Sequence, residues 1–334
     1  MIRITNACLT EANSLGLEST AEELLQVSSV EDLLESLASS PKATILGEGS
    51  NVVLHRHIPG RVIRPKIRGI TVKRVAETDY RVRVGAGERW NELVRAMLGR
   101  GIRGLENLSL IPGSVGAAPY QNIGAYGREL APIVESVEVV DRAEMSVKTL
   151  LATECEFRYR DSVFKNRSSK RYVITYVSLR IGNQALEFSY PDIDAELRNM
   201  GCVRPNPRDI ANAVIRVRRR KLPDPRVIGN VGSFFKNPLL SMKDFDLLRG
   251  KCEMRGFEEG ELMKVSAARL IDASGWKGRR DGAVAVWHRQ PLVLINTGGA
   301  TAANVLGLAN RIIDDVHRRY GVILEREPIE IGRQ

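Results

Sequence analysis

The chain has 334 residues, 43% of them hydrophobic, and carries a formal net charge of +10. That length is long for one hydrophobic core, so two or three structural units are expected. No apolar run reaches the roughly 18 residues of a membrane-crossing helix, and the first residues lack the basic and apolar regions of a signal peptide, so the cytoplasm is the expected compartment.

The charge calls for an anionic partner. Basic residues are spread along the whole chain without an RNP-like aromatic motif, a zinc finger or a basic tail, which disfavours nucleic acid and favours a small anion such as a nucleotide. The one dense run, residues 216–221 (RVRRRK), closes a predicted helix, where cations also suit the negative end of the dipole. Cys8, Cys155, Cys202 and Cys252 form neither a CxxC pair nor a cluster with histidine. That argues against a disulfide framework and a zinc site, and no metal is expected.

Residues 1–28 open with short, weakly patterned segments. A helix is predicted after Ser29, with Asp32 as a loose capping box and Val30, Leu33, Leu34 and Leu37 on one face. Beyond Pro41, an apolar strand over 43–46 runs into Gly47-Glu48-Gly49-Ser50-Asn51 and then a strand over 52–54. A dinucleotide fold would open a helix with GxGxxG and a P-loop would need a lysine; this loop has neither. Its backbone N–H groups can still form an anion-binding nest, with a plain hairpin turn as the alternative.

Residues 61–87 alternate, as in Arg81-Val82-Arg83-Val84, and predict half-buried strand; Trp90, Leu93, Val94 and Leu98 then fall at helical spacing. The most distinctive stretch follows at 104–127, GLENLSLIPGSVGAAPYQNIGAYG. With Gly99 and Gly101 just ahead, it is too rich in glycine for an ordinary helix and too apolar for a solvated linker. Glycine suits positions where the backbone takes positive φ or comes into close contact. The stretch therefore reads as backbone folded around a large polar ligand, or as a tight loop packed on the protein itself.

Alternation returns at 137–139 and 173–181, so strands dominate residues 43–181 in an α+β unit. Between them, residues 157–165 (FRYRDSVFK) alternate aromatic and cationic side chains, which also fits a surface ladder pairing Arg160 with Asp161. Residues 191–207 carry three prolines and read as a connection. A helix follows, with Ile210, Ala213, Val214 and Val217 on its apolar face, until Leu222-Pro223-Asp224-Pro225 stops it. Residues 227–238 (VIGNVGSFFKNP) form another glycine and asparagine loop, in which Ser233 lacks a nearby histidine and is no hydrolase nucleophile. The remainder predicts α/β structure. It has a helix around 267–271, a strand over 292–295, a turn at 296–299, a helix carrying Leu308, Ile312, Ile313, Val316 and Tyr320, and strand-like residues 322–324. Trp276 and Trp287 are expected to pack into this unit, and His288 to be structural.

Seven blocks, LGEGSNVVL, GLENLSLIPGSVGAAPYQNIGAYG, FRYRDSVFK, KLPDPRVIGNVGSFFKNP, ARLIDASGWKG, HRQPLVLIN and LEREPIEIG, run in the same order as those of the UDP-N-acetylenolpyruvoylglucosamine reductase family, which the chain resembles over residues 45–332. The resemblance implies an α+β fold: a two-part FAD-binding domain (PCMH-type, vanillyl-alcohol-oxidase-like) and a C-terminal α/β substrate-binding domain. The implied boundaries are 1–75 for the first FAD-binding subdomain, joined by a C-terminal strand in 322–334, then 76–205 for the second and 206–321 for the substrate-binding domain. The implied cofactor is non-covalent FAD, held largely through backbone. Gly47, Gly49, Ser50 and Asn51 would hold it from the first loop. Ile111, Pro112, Gly113, Ser114, Gly116, Ala117, Asn122, Gly124, Ala125, Tyr126 and Gly127 would hold it from the long stretch.

By the same resemblance, NADPH is the hydride donor, and hydride passes through FAD to the enolpyruvyl group of a UDP-sugar, yielding UDP-N-acetylmuramate for peptidoglycan synthesis. Arg160 would stabilise the developing enolate, Glu327 would assist the same charge as an acid or through a hydrogen bond, and Ser233 would protonate the carbanionic carbon. Tyr190, Lys221 and Asn237 would bind the substrate diphosphate. No nucleic acid, membrane insertion or obligate protein partner is implied. One rival reading is a basic nucleotide- or RNA-binding protein that keeps the fold without the chemistry, and the set Arg160, Ser233 and Glu327 argues against it. Another is a flavin oxidase of related fold, which often attaches flavin through His or Cys; neither glycine loop contains one. The sequence departs from the family in three places. An NTFG block reads Asn13-Ser14-Leu15-Gly16, LEPE reads LERE with Arg326 in place of proline, and residues 252–264 hold Phe257 but no tyrosine where one branch has a tyrosine loop.

Overall fold

A computed structural model describes residues 1–165 and 171–332. Residues 166–170 and 333–334, within the expected second FAD-binding subdomain and C-terminal strand segment, lie outside the described residues. The chain forms two compact units: Met1–Ala7, Ala21–Glu48 and Gly60–Arg219 make the first, and Cys8–Thr20, Gly49–Pro59 and Arg220–Gln334 the second.

The first unit is built on a five-stranded antiparallel sheet in the order Ser146–Leu151, Val134–Asp141, Tyr172–Ile181, Asp79–Gly85 and Ile70–Ala76. Alternation gives the sheet one apolar face. Val82, Val84, Val137, Val139, Val177 and Leu179 bury it against Trp90, Leu93, Val94 and Met97 of the helix Trp90–Gly99. Each such side chain contributes about 1.5–3 kcal/mol when fully buried. Arg81 and Arg83, the polar half of the same alternation, pair with Glu135 and Glu138.

A smaller sheet orders Ile2–Cys8, Thr20–Val27, His57–Pro65 and Thr44–Ile45. The first 28 residues thus hold two strands that the sequence pattern does not reveal, because the first is exposed almost throughout and the second has a run of three buried residues, Glu23, Leu24 and Leu25. The helix Val30–Ser39 begins as expected: the Ser29 hydroxyl accepts the Asp32 N–H at 3.0 Å, and Leu33 and Leu37 are buried. Residues 191–207 are more than a connection. Pro191 opens the helix Pro191–Asn199 from its first position, where the missing N–H has no intrahelical partner to lose. Ile193 and Leu197 pack with Ile210, Val214 and Val217 of the helix Pro207–Lys221.

The second unit has a four-stranded sheet ordered Asn230–Ser233, Val293–Asn296, Val284–Val286 and Arg280–Asp281, and a three-stranded one ordered Leu239–Leu240, Leu262–Val265 and Gly256–Glu259. The helix Ala302–Tyr320, capped by Thr301 and ended by Gly321 at φ 75°, buries Val305, Leu308, Ile312 and Val316 in its core. Trp276 Nε1 donates to Asp315 on that helix at 2.9 Å, and the His288 ring packs against Trp287 at a tilt of 53°. Residues 322–324 form no strand. Val322 and Leu324 pack in the core without a backbone ladder, and the last strand among the described residues is Ile329–Ile331, parallel to Val52–Leu54. Among the described residues, no helix is long and apolar enough to cross a membrane.

Candidate active site

The long glycine stretch is anchored through backbone to residues 86–90 of the first unit. Trp90 N donates to Gly113 O at 3.0 Å, Val115 N to Glu88 O at 2.8 Å, and Gly116 N to Ala86 O at 2.9 Å. A Cβ on Gly116 would lie 2.6 Å from the Ala86 Cβ, so this approach requires glycine. Short 3-10 turns, Val115–Ala117 and Pro119–Gln121, lead to Asn122 at φ 44°. The Asn122 amide bonds Glu129 and the Arg158 carbonyl, and its oxygen accepts from Ala131 N, so the side chain serves the loop itself. Gly124–Ala125 then pairs with Arg128–Glu129 around Tyr126 and Gly127, both at positive φ, as a two-residue I′ turn demands. Ile111, Gly113 and Gly116 are half-buried, Ser114 is buried, and Pro112 and Ala117 are exposed, leaving backbone at the surface.

Arg160 reaches this stretch. It sits at φ 53° in a tight turn closed by reciprocal hydrogen bonds between Arg158 and Asp161. Its guanidinium donates to the Gly124 carbonyl at 2.6 Å and the Asn122 carbonyl at 3.4 Å. Tyr190 precedes the helix Pro191–Asn199 and meets Tyr126 edge-on, ring centroids 5.4 Å apart. Burial pushes the Tyr126 hydroxyl pKa up, while Arg218 beside it works the other way.

Arg218 was not singled out by the sequence. Its Nε is shut off from solvent and has no hydrogen-bond partner among the described residues, and burial pushes its pKa down. The signal was helical phase: within RVRRRK, Arg218 lies one turn beyond Val214 and next to Val217, at the edge of the buried stripe.

The first loop contributes to both units. In the first, a Cβ on Gly47 would come within 3.1 Å of Ser114 Oγ, and Arg64 Nε donates to the Gly47 carbonyl at 3.1 Å. Burial works against the charge of Glu48, but Lys66 and Arg64 hold its pKa below the ordinary value. In the second unit, Gly49 sits at φ 67°, where a Cβ would lie 1.9 Å from the Ala12 carbonyl oxygen, and Ser14 N donates to Gly49 O at 3.0 Å. The Asn13–Gly16 turn, the altered NTFG block, thus braces this loop. Asn51 ties the loop to Glu327: its amide donates to the Glu327 carbonyl at 3.4 Å, and its own carbonyl accepts from Ile329 N at 3.1 Å.

The second unit also brings Ser233 and Glu327 onto neighbouring segments. Glu327 N donates to Phe234 O and Lys236 N to Glu325 O, both at 2.9 Å, with Phe235 opposite Arg326. A register shift between Asn230 and Ser233, with Gly232 at φ 71°, marks a bulge that redirects the strand just before Ser233. Buried Asn230 holds the bulge: its side chain accepts from Gly232 N and donates to Ile228 O, and its backbone exchanges bonds with Ser14. Glu327 is half-buried, whereas Glu325 is exposed and paired with Lys236 at 2.9 Å. Asn237 Oδ1 accepts from Ala267 N at the start of the helix Ala267–Ala273. Lys221 ends the helix Pro207–Lys221, and its carbonyl accepts from Trp287 Nε1 at 3.1 Å.

The first unit fits the implied FAD on two counts. Backbone at Gly47 lies close enough to Ser114 that a Cβ would crowd its Oγ at 3.1 Å, as close approach to a pyrophosphate requires, and Arg218 is a cation whose buried Nε has no hydrogen-bond partner among the described residues.

Comparison with known proteins agrees. The FAD binding domain family matches residues 22–150, and the C-terminal domain family of UDP-N-acetylenolpyruvoylglucosamine reductase matches residues 224–331. Ser233, Asn237 and Glu327 fall within the second match, while Arg160, Tyr190 and Lys221 lie between the two. UDP-N-acetylenolpyruvoylglucosamine reductase of Alcanivorax borkumensis is 40% identical over 332 residues, covering 98% of this chain and 96% of that one. Its Pseudomonas aeruginosa counterpart is 42% identical, covering 95% of each. The solved reductase of Thermus caldophilus superposes with a TM-score of 0.68 at 28% identity, covering 99% of this chain and 98% of that one. The fold is therefore an α+β FAD-binding domain followed by this family's C-terminal domain. The chain belongs to the UDP-N-acetylenolpyruvoylglucosamine reductase family and is an FAD-dependent oxidoreductase of peptidoglycan precursor synthesis.

Proposed function

We propose that the chain reduces UDP-N-acetylglucosamine enolpyruvate to UDP-N-acetylmuramate in the cytoplasm, with NADPH as hydride donor and Ser233 as proton donor. The observation that carries this reading is the pairing of the Ser233 and Glu327 segments within one unit, through the 2.9 Å bond from Glu327 N to Phe234 O. Bound FAD would supply a two-electron carrier between NADPH and the enolpyruvyl group. Gly47, Gly49 to Asn51, the backbone of 111–117 and the turn at 124–127 would hold it. On this reading residues 1–75 with 322–334, and 76–205, serve the cofactor, and 206–321 the substrate.

The remaining work falls to side chains. Arg160, a permanent cation, offers charge to the enolate that develops when hydride arrives. Ser233 hands a proton to the carbanionic carbon; a hydroxyl is a weak acid in water, so its position after the Gly232 bulge does the work. Glu327, with its backbone bound at both N–H and C=O, assists the same charge as an acid or hydrogen-bond donor. Tyr190, Lys221 and Asn237 would bind the diphosphate, with the Asn237 amide as donor because its oxygen receives Ala267 N.

Purified protein should be yellow and release its flavin on acid precipitation. Under anaerobic conditions NADPH should bleach it, and the enolpyruvyl sugar nucleotide should restore the colour in one turnover. A colourless protein that takes up no FAD, or reduced flavin that the sugar nucleotide leaves bleached, would sink this reading.

A further inference from the structure

Glu327 shares its segment with three other charged residues, and their partners differ. Glu325 turns outward to Lys236. Arg326, where the segment departs from the family's LEPE, is immediately adjacent to Glu327. A guanidinium in that position is a hazard: pairing with Glu327 would draw its carboxyl from its working place. The Arg326 backbone is opposed to Phe235. Arg326 Nη1 lies 3.9 Å from Glu330 Oε2. The other oxygen of Glu330 meets His55 Nε2 at 2.8 Å, and the ladder between Ile329–Ile331 and Val52–Leu54 fixes its backbone. His55 N extends that ladder by donating to Ile331 O at 2.9 Å.

We propose that Glu330 is a positioning residue: anchored by His55, it engages Arg326 and keeps that guanidinium off Glu327. The inference rests on the assignment of Glu327 made above. Arg326 thereby comes with its own counter-carboxylate four residues on, and the two flank the residue they protect.

Glu330→Gln tests this without dismantling the ladder, because the amide oxygen still offers His55 an acceptor while the charge that holds Arg326 is gone. Reoxidation of the reduced flavin by the sugar nucleotide should slow by up to about 100-fold, the cost of misplacing a catalytic group by about 1 Å. Flavin content and reduction by NADPH should match the parent. Adding Arg326→Ala should restore reoxidation to within about twofold of the parent, a non-additive gain between contacting residues. A merely structural role predicts the opposite, since losing the second partner would deepen the defect. A parental rate in Glu330→Gln, or a double variant as slow as the single one, overturns the proposal. Glu327→Gln separates the two levels: a loss of about 100-fold or more supports its assignment. A parental rate there removes that assignment and this inference together.

Discussion

The glycine stretch 104–127 and the paired segments 231–238 and 324–331 hold their functional groups in different ways. The first is shaped by backbone: Gly116 lies against Ala86, Tyr126 and Gly127 close a turn at positive φ, and the Asn122 side chain binds its own loop. The second is shaped by what strand pairing sets alongside, a hydroxyl after a bulge and a carboxylate on the facing segment. A site made of backbone tolerates few substitutions but reads in the sequence as glycine. A site made of side chains reads as isolated residues that acquire meaning only when paired.

That contrast predicts separable defects. Ser233→Ala should slow flavin reoxidation by substrate about 100- to 10,000-fold, the usual range for a lost general acid, and leave NADPH reduction nearly intact; stopped-flow traces showing equal loss in both steps would dissolve the division. Lys221→Ala should raise KM for the sugar nucleotide through loss of a charged partner contributing roughly 1.5–3 kcal/mol. An unchanged KM would return Lys221 to the role of a helix-end cation. Gly116→Ala should act on the other region, lowering unfolding free energy by about 1–3 kcal/mol through overpacking and reducing flavin retention. Molecules that keep their flavin should reoxidise at the parental rate; a slowed rate would mean the two regions are not independent.

The smallest effect concerns the sheet beneath the glycine stretch. Asp141 is fully buried, and hydrogen bonds from Arg171 first, then Lys148, outweigh the cost of burial and hold its pKa well below the carboxylate range. A pKa depressed on folding stabilises above the unfolded value and is lost as pH falls through the folded one. Asp141→Asn should therefore lower the denaturation midpoint at pH 7, with the gap to the parent narrowing below about pH 4. A gap that stays constant would assign the loss to packing instead.

Legibility in the sequence followed the same divide. Alternation at 81–84 and 173–181 and the glycines of 104–127 identified the sheet and the cofactor loop, because each follows from local periodicity or backbone freedom. Arg160 was legible as a candidate but its partners were not: its positive φ turns the guanidinium toward the Gly124 and Asn122 carbonyls rather than Asp161. The helix Pro191–Asn199 was hidden by prolines that open helices here, and the strand Ile2–Cys8 by exposure on both faces. Arg218 was masked by the arginines around it. Nothing local tells Ser233 that its strand will face Glu327; that is a property of the pairing.

The Asn13–Gly16 turn has a consequence for anyone exchanging parts with a relative. The Asn13 side chain binds Leu9, Thr10 and Leu17, and the carbonyl of the adjoining Ala12 occupies the space a side chain at position 49 would need. Residues 9–17 and 49–51 are therefore one interchangeable cassette. A chimaera that grafts either piece alone inherits a mismatch between carbonyl and loop, whereas one that moves both carries the brace and what it braces together.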